Sequence, residues 1–100
     1  MAWYVVSYDL RKDGRFAEED DYKRVHQALR SGMDYCWALL SFWIIQTPLS
    51  PNEVIAALLR VGAIDDNDGI VVLEITGVGD FRRLDSQAAI DWLNTRLTRE

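Results

Sequence analysis

A chain of 100 residues, 49% of them apolar and eleven of them aromatic, is long enough to bury a core without metal or disulfide staples; this composition disfavours disorder, and one domain spanning residues 1–100 is expected. The formal charge of −5 argues against broad electrostatic binding of nucleic acid, where Lys and Arg supply most of the affinity, but it leaves room for a local site. A single cysteine, Cys36, excludes an intramolecular disulfide, and also a cysteine-based zinc site unless chains share ligands; it suits a reducing cytoplasm.

The chain opens on a strand pattern from Ala2 to Leu10. Trp3, Tyr4, Val5, Val6 and Tyr8 are aromatic or β-branched, and nothing in the run breaks a strand. Period-two alternation sets Trp3, Val5, Ser7 and Asp9 on one face and Tyr4, Val6, Tyr8 and Leu10 on the other. Both faces are largely apolar, which predicts cover on both sides. A basic loop follows, with Arg11, Lys12, Asp13, Gly14 and Arg15, so a carboxylate stands where a rigid strand gives way to positive charge.

Glu18, Glu19, Asp20 and Asp21 then place negative charge where a helix N-terminus favours it, and Tyr22, Val25, His26 and Leu29 recur at helical spacing. Glu19 with Lys23 and Asp20 with Arg24 are pairs four apart, and Gly32 is placed as the C-terminal cap. The sole histidine, His26, falls on the inner stripe and reads as a satisfied, partly buried side chain rather than a metal ligand or general base.

Met33 to Thr47 is too long for one average strand and too β-branched at its end for a helix. Two antiparallel strands, Tyr35 to Leu39 and Phe42 to Thr47, fit it across a bend near Leu40 and Ser41, although no Asn-Gly or Asp-Gly marks the turn; a single bent strand is the rival. Ser50, Pro51 and Glu53 then spell a helix start of N-cap hydroxyl, first-position proline and capping-box glutamate. Val54, Ile55, Leu58 and Leu59 form its predicted buried stripe, and Gly62 ends it.

Asp65, Asp66, Asn67, Asp68 and Gly69 read as an acidic turn, since their spacing does not fit an EF-hand loop. Ile70 to Thr76 is a further strand, apolar on both faces apart from Glu74. The Gly77 and Gly79 pair lacks the third glycine of a dinucleotide fingerprint and reads as a loop. Ser86 caps a last helix on which Ala89, Ile90, Leu93 and Leu97 share a side, with Trp92 as an anchor and Arg96 and Arg99 near its negative end.

This order of elements predicts an α+β fold, a ferredoxin-like βαββαβ antiparallel sheet over residues 1–77 with an added C-terminal helix within residues 78–100. Two helices cover one face of such a sheet. The other face must be covered by the C-terminal helix or by a second copy of the chain, and a twofold homodimer with the helix as a clasp is the favoured arrangement. The longest apolar run, Trp37 to Ile45, is too short to span a bilayer, and no basic leader with a small-residue cleavage site opens the chain. Neither export nor a membrane role is therefore expected.

The run Tyr4-Val5-Val6-Ser7-Tyr8-Asp9, the basic loop and helix after it, Ser41-Phe42-Trp43 opening the third strand and Asp68-Gly69-Ile70-Val71 opening the fourth together resemble the CRISPR-associated second core protein (Cas-two) superfamily. The resemblance covers about the first three quarters of the chain. It is closest to stand-alone SinR-like relatives, which share the Ser-Tyr-Asp strand end and a tryptophan-bearing C-terminal helix; VapD-type toxins are more distant kin. It implies a homodimer of ferredoxin-like subunits and, in some members, metal-dependent cleavage of RNA or DNA with the strand-end aspartate, here Asp9, holding Mg2+ or Mn2+. Ser7 would support the carboxylate or a water, and Arg11, Lys12 and Arg15 would engage phosphate. Two departures stand against this pattern: the apolar stretch Trp37 to Leu40 replaces the Arg and Gln that often precede the third-strand serine, and the charge is acidic. From the residues alone a strand-end Asp reads as a turn or cap residue, and a non-catalytic dimeric scaffold is the alternative function.

Overall fold

The computed structural model describes residues 2–31, 33–39 and 41–99. Seven elements follow one another: β1 (Ala2–Asp9), α1 (Glu19–Arg30), β2 (Asp34–Leu39), β3 (Phe42–Thr47), α2 (Pro51–Arg60), β4 (Gly69–Ile75) and α3 (Gln87–Arg96). The strands form one four-stranded sheet in the order β2-β3-β1-β4, and each neighbouring pair is antiparallel. The described residues thus form a small α+β fold with three helices.

The alternation along β1 decides which side chains meet which layer. Tyr4, Val6 and Tyr8 are buried on one face, where they join Trp43 and Ile45 of β3, Val25 and Leu29 of α1, and Val54 and Leu58 of α2. Each fully buried aliphatic side chain here contributes about 1.5–3 kcal/mol. On the opposite face Trp3 and Val5 pack with Cys36, Ile44, and Ala89, Trp92 and Leu93 of α3. The C-terminal helix therefore does lie on the second face. It leaves part of that face open: Val71 and Leu73 on β4, opposite Ser7 and Val5 in register, are 51% and 58% exposed.

Local chemistry sets the boundaries. Ser50 Oγ accepts the Glu53 backbone N–H, and the Glu53 carboxylate accepts the Ser50 N–H, which closes the capping box that the sequence spells. At the other end of α2, Gly62 has φ +76°, and the N–H groups of Ala63 and Gly62 bond back to the Leu58 and Leu59 carbonyls, a Schellman closure that only glycine adopts without strain. Leu59 is 42% exposed and does not belong to the buried stripe expected of it; it lies one step beyond the face that Val54 and Leu58 turn inward. The β2–β3 pair has no glycine between its strands, and its register shifts between Trp37 and Leu39, an irregularity in the ladder. The expected helix cap at Gly32 and the bend residue Leu40 lie outside the described residues.

Two further expectations change. Arg24 pairs with Asp21, three residues back, rather than with Asp20, because Asp21 points inward and is 2% exposed. His26 packs at a tilt against Trp37 and Trp43, with ring centroids 4.3 and 5.3 Å away, and Nε2 is buried without a hydrogen-bond partner. It is partly buried, as expected, but not satisfied. Burial first, and the Arg30 charge second, push its pKa below the ordinary histidine value.

The α3 segment is clamped at several points. Ser86 Oγ caps the helix through the Ala89 N–H, Trp92 Nε1 donates to Asp34 Oδ1 at 2.9 Å, and Trp92 meets the Trp3 ring edge to face at 5.3 Å. Arg96 lies over the Trp92 ring and donates to the second Asp34 oxygen at 2.9 Å. Beyond the helix, the Thr98 N–H bonds the Gly77 carbonyl and Arg99 pairs with Asp80. Among the described residues no helix is long and apolar enough to cross a membrane.

Candidate functional site at the end of the first strand

Asp9 is the last residue of β1, and its side chain is 78% exposed. Ser7 stands on the same face two residues back. Together with Gly69, Ile70 and Val71 they line a shallow open depression of about 370 Å3. Gly69 faces Asp9 across the β1–β4 ladder, and a Cβ added there would fall on the Arg11 guanidinium, so the bare backbone at Gly69 lets Arg11 fold back toward the strand end. Arg11 Nε lies 3.7 Å from Asp9 Oδ2, an open and weak ion pair.

Lys12 sits quite differently. Its side chain is 11% exposed, and Nζ lies 2.7 Å from Asp68 Oδ2 and 3.3 Å from Asp65 Oδ2. The Asp68 carboxylate is fully buried and also accepts the backbone N–H groups of Arg11 at 2.7 Å and Asp65 at 3.0 Å. Burial alone would raise the Asp68 pKa, but the Lys12 ammonium and these backbone donors outweigh it and hold the carboxyl below its usual value. Burial likewise works against the Lys12 charge, and the hydrogen bonds to Asp68 and Asp65 more than offset it, so the Lys12 pKa is raised.

The loop between β1 and α1 turns tightly at Gly14, φ +70°, where an isolated antiparallel bridge joins Lys12 to Arg15. Arg15 then grips Asp21 with both terminal guanidinium nitrogens, at 2.7 and 3.0 Å. Asp21 also takes the Glu18 N–H at 2.8 Å, and Arg15 followed by this backbone bond holds its carboxyl well below the usual carboxylate range. All three cations expected to engage phosphate face carboxylates of their own chain, Lys12 and Arg15 closely and Arg11 only through the long pair with Asp9, its side chain 63% exposed.

Asp65, Asp68 and Asp21 carry structural charge that the sequence reading treated only as a turn and a helix start. For Asp65 and Asp68 the signal was the opposite charge of Lys12 on a loop that the antiparallel β1–β4 pairing brings alongside, and for Asp21 it was Arg15 six residues before it. As a metal site, one chain falls short: among the described residues no group of three or more His, Cys, Asp and Glu side chains comes together. Two copies of Asp9 would supply two hard oxygen donors, a set that suits Mg2+ or Mn2+ with water completing the shell. Comparison with protein-family models, curated proteins and solved structures gave no match to this chain.

Proposed function

We propose that the protein works as a homodimer of ferredoxin-like subunits akin to the Cas-two superfamily, and that paired Asp9 residues form the metal site of a nuclease, an endoribonuclease or DNase. The observation that carries this reading is the placement of an exposed Asp9 at the end of the sheet face on which Val71 and Leu73 also meet solvent. A second copy that buries those side chains about a twofold axis would bring two strand ends together, and exposed apolar patches of this kind mark such contacts. The strand order β2-β3-β1-β4, with each βαβ connection split by another strand, supports the ferredoxin-like description.

In such a dimer Asp9 holds the ion, Ser7 orients the carboxylate or a water, and Arg11 contacts phosphate. A bound divalent ion would supply charge stabilisation and an activated water for phosphodiester hydrolysis. Lys12 and Arg15 are loop braces in this scheme rather than phosphate ligands. Purified protein incubated with end-labelled RNA and DNA tests the reading: cleavage should require Mg2+ or Mn2+ and vanish in Asp9→Asn, and equal cleavage by both proteins would contradict it.

A second reading rests on the internal neutralisation of Lys12 and Arg15, which leaves little cation to hold a polyanion. It describes a non-catalytic dimeric interaction module. No cleavage by a stable dimer would favour it.

A further inference from the structure

A second depression, a groove of about 390 Å3, opens on the α3 side of the sheet and shares no lining residue with the one at Asp9. The sheet supplies Val5 and Ile75, α3 and its C-cap supply Leu93 and Leu97, and the segment 76–86 supplies Phe81 and Leu84, so apolar side chains line it from three elements of the fold. The segment is tied in place through residues 98 and 99. The Thr98 N–H bonds the Gly77 carbonyl and the Gly79 N–H bonds the Thr98 carbonyl, while Asp80 Oδ1 accepts the Phe81 N–H at 2.8 Å. Arg99 pairs with Asp80 and lies 5.2 Å from the centre of the Phe81 ring. An apolar space of this size suits the body of a small apolar ligand. Charge distinguishes one end of it. Only two of its described lining residues are charged, and Asp80 is already neutralised by Arg99. Arg82 is exposed and has neither an ion pair nor a hydrogen bond among the described residues. Beside it Arg83 holds φ +58°, a left-handed conformation uncommon for a residue with a Cβ, and such strain gathers where a chain closes round a ligand.

We propose that this groove binds an alkyl carboxylate, with a chain of about eight carbons along Val5, Ile75 and Leu93 and the carboxylate on the Arg82 guanidinium. An apolar body with one anionic end matches an apolar groove that carries one unpaired cation at its rim. A neutral or cationic amphiphile would fill the same space and leave Arg82 without a partner. The site stands apart from Asp9 and does not depend on the nuclease reading.

Titration of the full chain with hexanoate, octanoate and decanoate, followed by calorimetry and methyl NMR, tests it. Octanoate should saturate with Kd below about 1 mM, and affinity should rise about fourfold per added methylene until the groove is full. Methyl signals of Val5, Ile75, Leu93 and Leu97 should move, while those of Val71, beside Asp9, stay still. Arg82→Gln should weaken octanoate about fivefold and leave 1-octanol unchanged, a difference that a merely structural arginine would not produce. Ala38→Phe, which sets a ring into the groove from β2, should abolish binding. If that variant melts early, Arg82→Gln still decides, since it changes an exposed side chain without a partner. No saturation by about 5 mM octanoate, or equal affinity of wild type and Arg82→Gln for it, would overturn the proposal. So would octanoate that halves the sedimentation mass, since the groove would then be the seat of a second copy.

Discussion

Lys12 and Asp68 stand 56 residues apart in sequence, yet their side chains meet at 2.7 Å with the carboxylate wholly shielded from water. The contact ties the loop after β1 to the turn before β4, and Asp68 also takes the Arg11 N–H, so the strand end that carries Asp9 is held from both sides. Removing a buried charge partner leaves the other uncompensated. Asp68→Ala should therefore cost about 3 kcal/mol in urea unfolding, and Lys12→Met about 2 kcal/mol, since two backbone donors still serve Asp68. The double variant should lose clearly less than the sum of the two, and strict additivity would show that the pair does not interact.

Strong acid should loosen the start of α1. The Asp21 carboxyl is held below its ordinary pKa in the folded chain, so its contribution to stability is complete above the unfolded value of about 4 and is lost as pH falls through the folded one. Asp21→Asn should lower stability at pH 7 and flatten its fall between about pH 4 and pH 2. Parallel acid curves for the two proteins would rule out Asp21 as a source of that dependence.

His26 works over a higher range. Its folded pKa is depressed by burial against Trp37 and Trp43, so the unfolded chain takes up a proton near pH 6.5 that the folded chain resists. Stability should drop as pH falls from 7 toward 5. His26→Phe, which keeps an aromatic ring there and removes the orphaned Nε2, should abolish that drop. A slope unchanged in His26→Phe would assign it elsewhere.

Cys36 reports on the cover of the second face. It is 2% exposed beneath Ala89, and burial pushes its thiol up to about 11. The native protein should react slowly with an aromatic disulfide reagent. Trp92→Ala removes the Asp34 hydrogen bond and the Trp3 contact, and should cost about 3 kcal/mol and speed Cys36 modification at least tenfold. Unchanged reactivity would mean that α3 is not the lid over this face.

Much of this layout could be read from residues. The Ser50-Pro51-Glu53 start, the Gly62 end and the period-two alternation of β1 are local signals, and each appears in the structure as spelled. What stayed hidden was long-range. Lys12 and Arg15 read as free cations because their partners, Asp68 and Asp21, are chosen by strand pairing and by which side of α1 faces inward. Leu59 read as buried because a stripe drawn at helical spacing is wider than the face that α2 turns to the sheet.

The proposed sharing of a metal ion between two Asp9 residues is tested most directly by counting metal and mass together. Mn2+ titration with sedimentation at micromolar protein should give one ion per two chains and a particle of twice 11.5 kDa. Asp9→Asn should keep the mass and lose the ion. A particle of 11.5 kDa, or Mn2+ binding that Asp9→Asn leaves unchanged, would contradict a metal held between two strand ends.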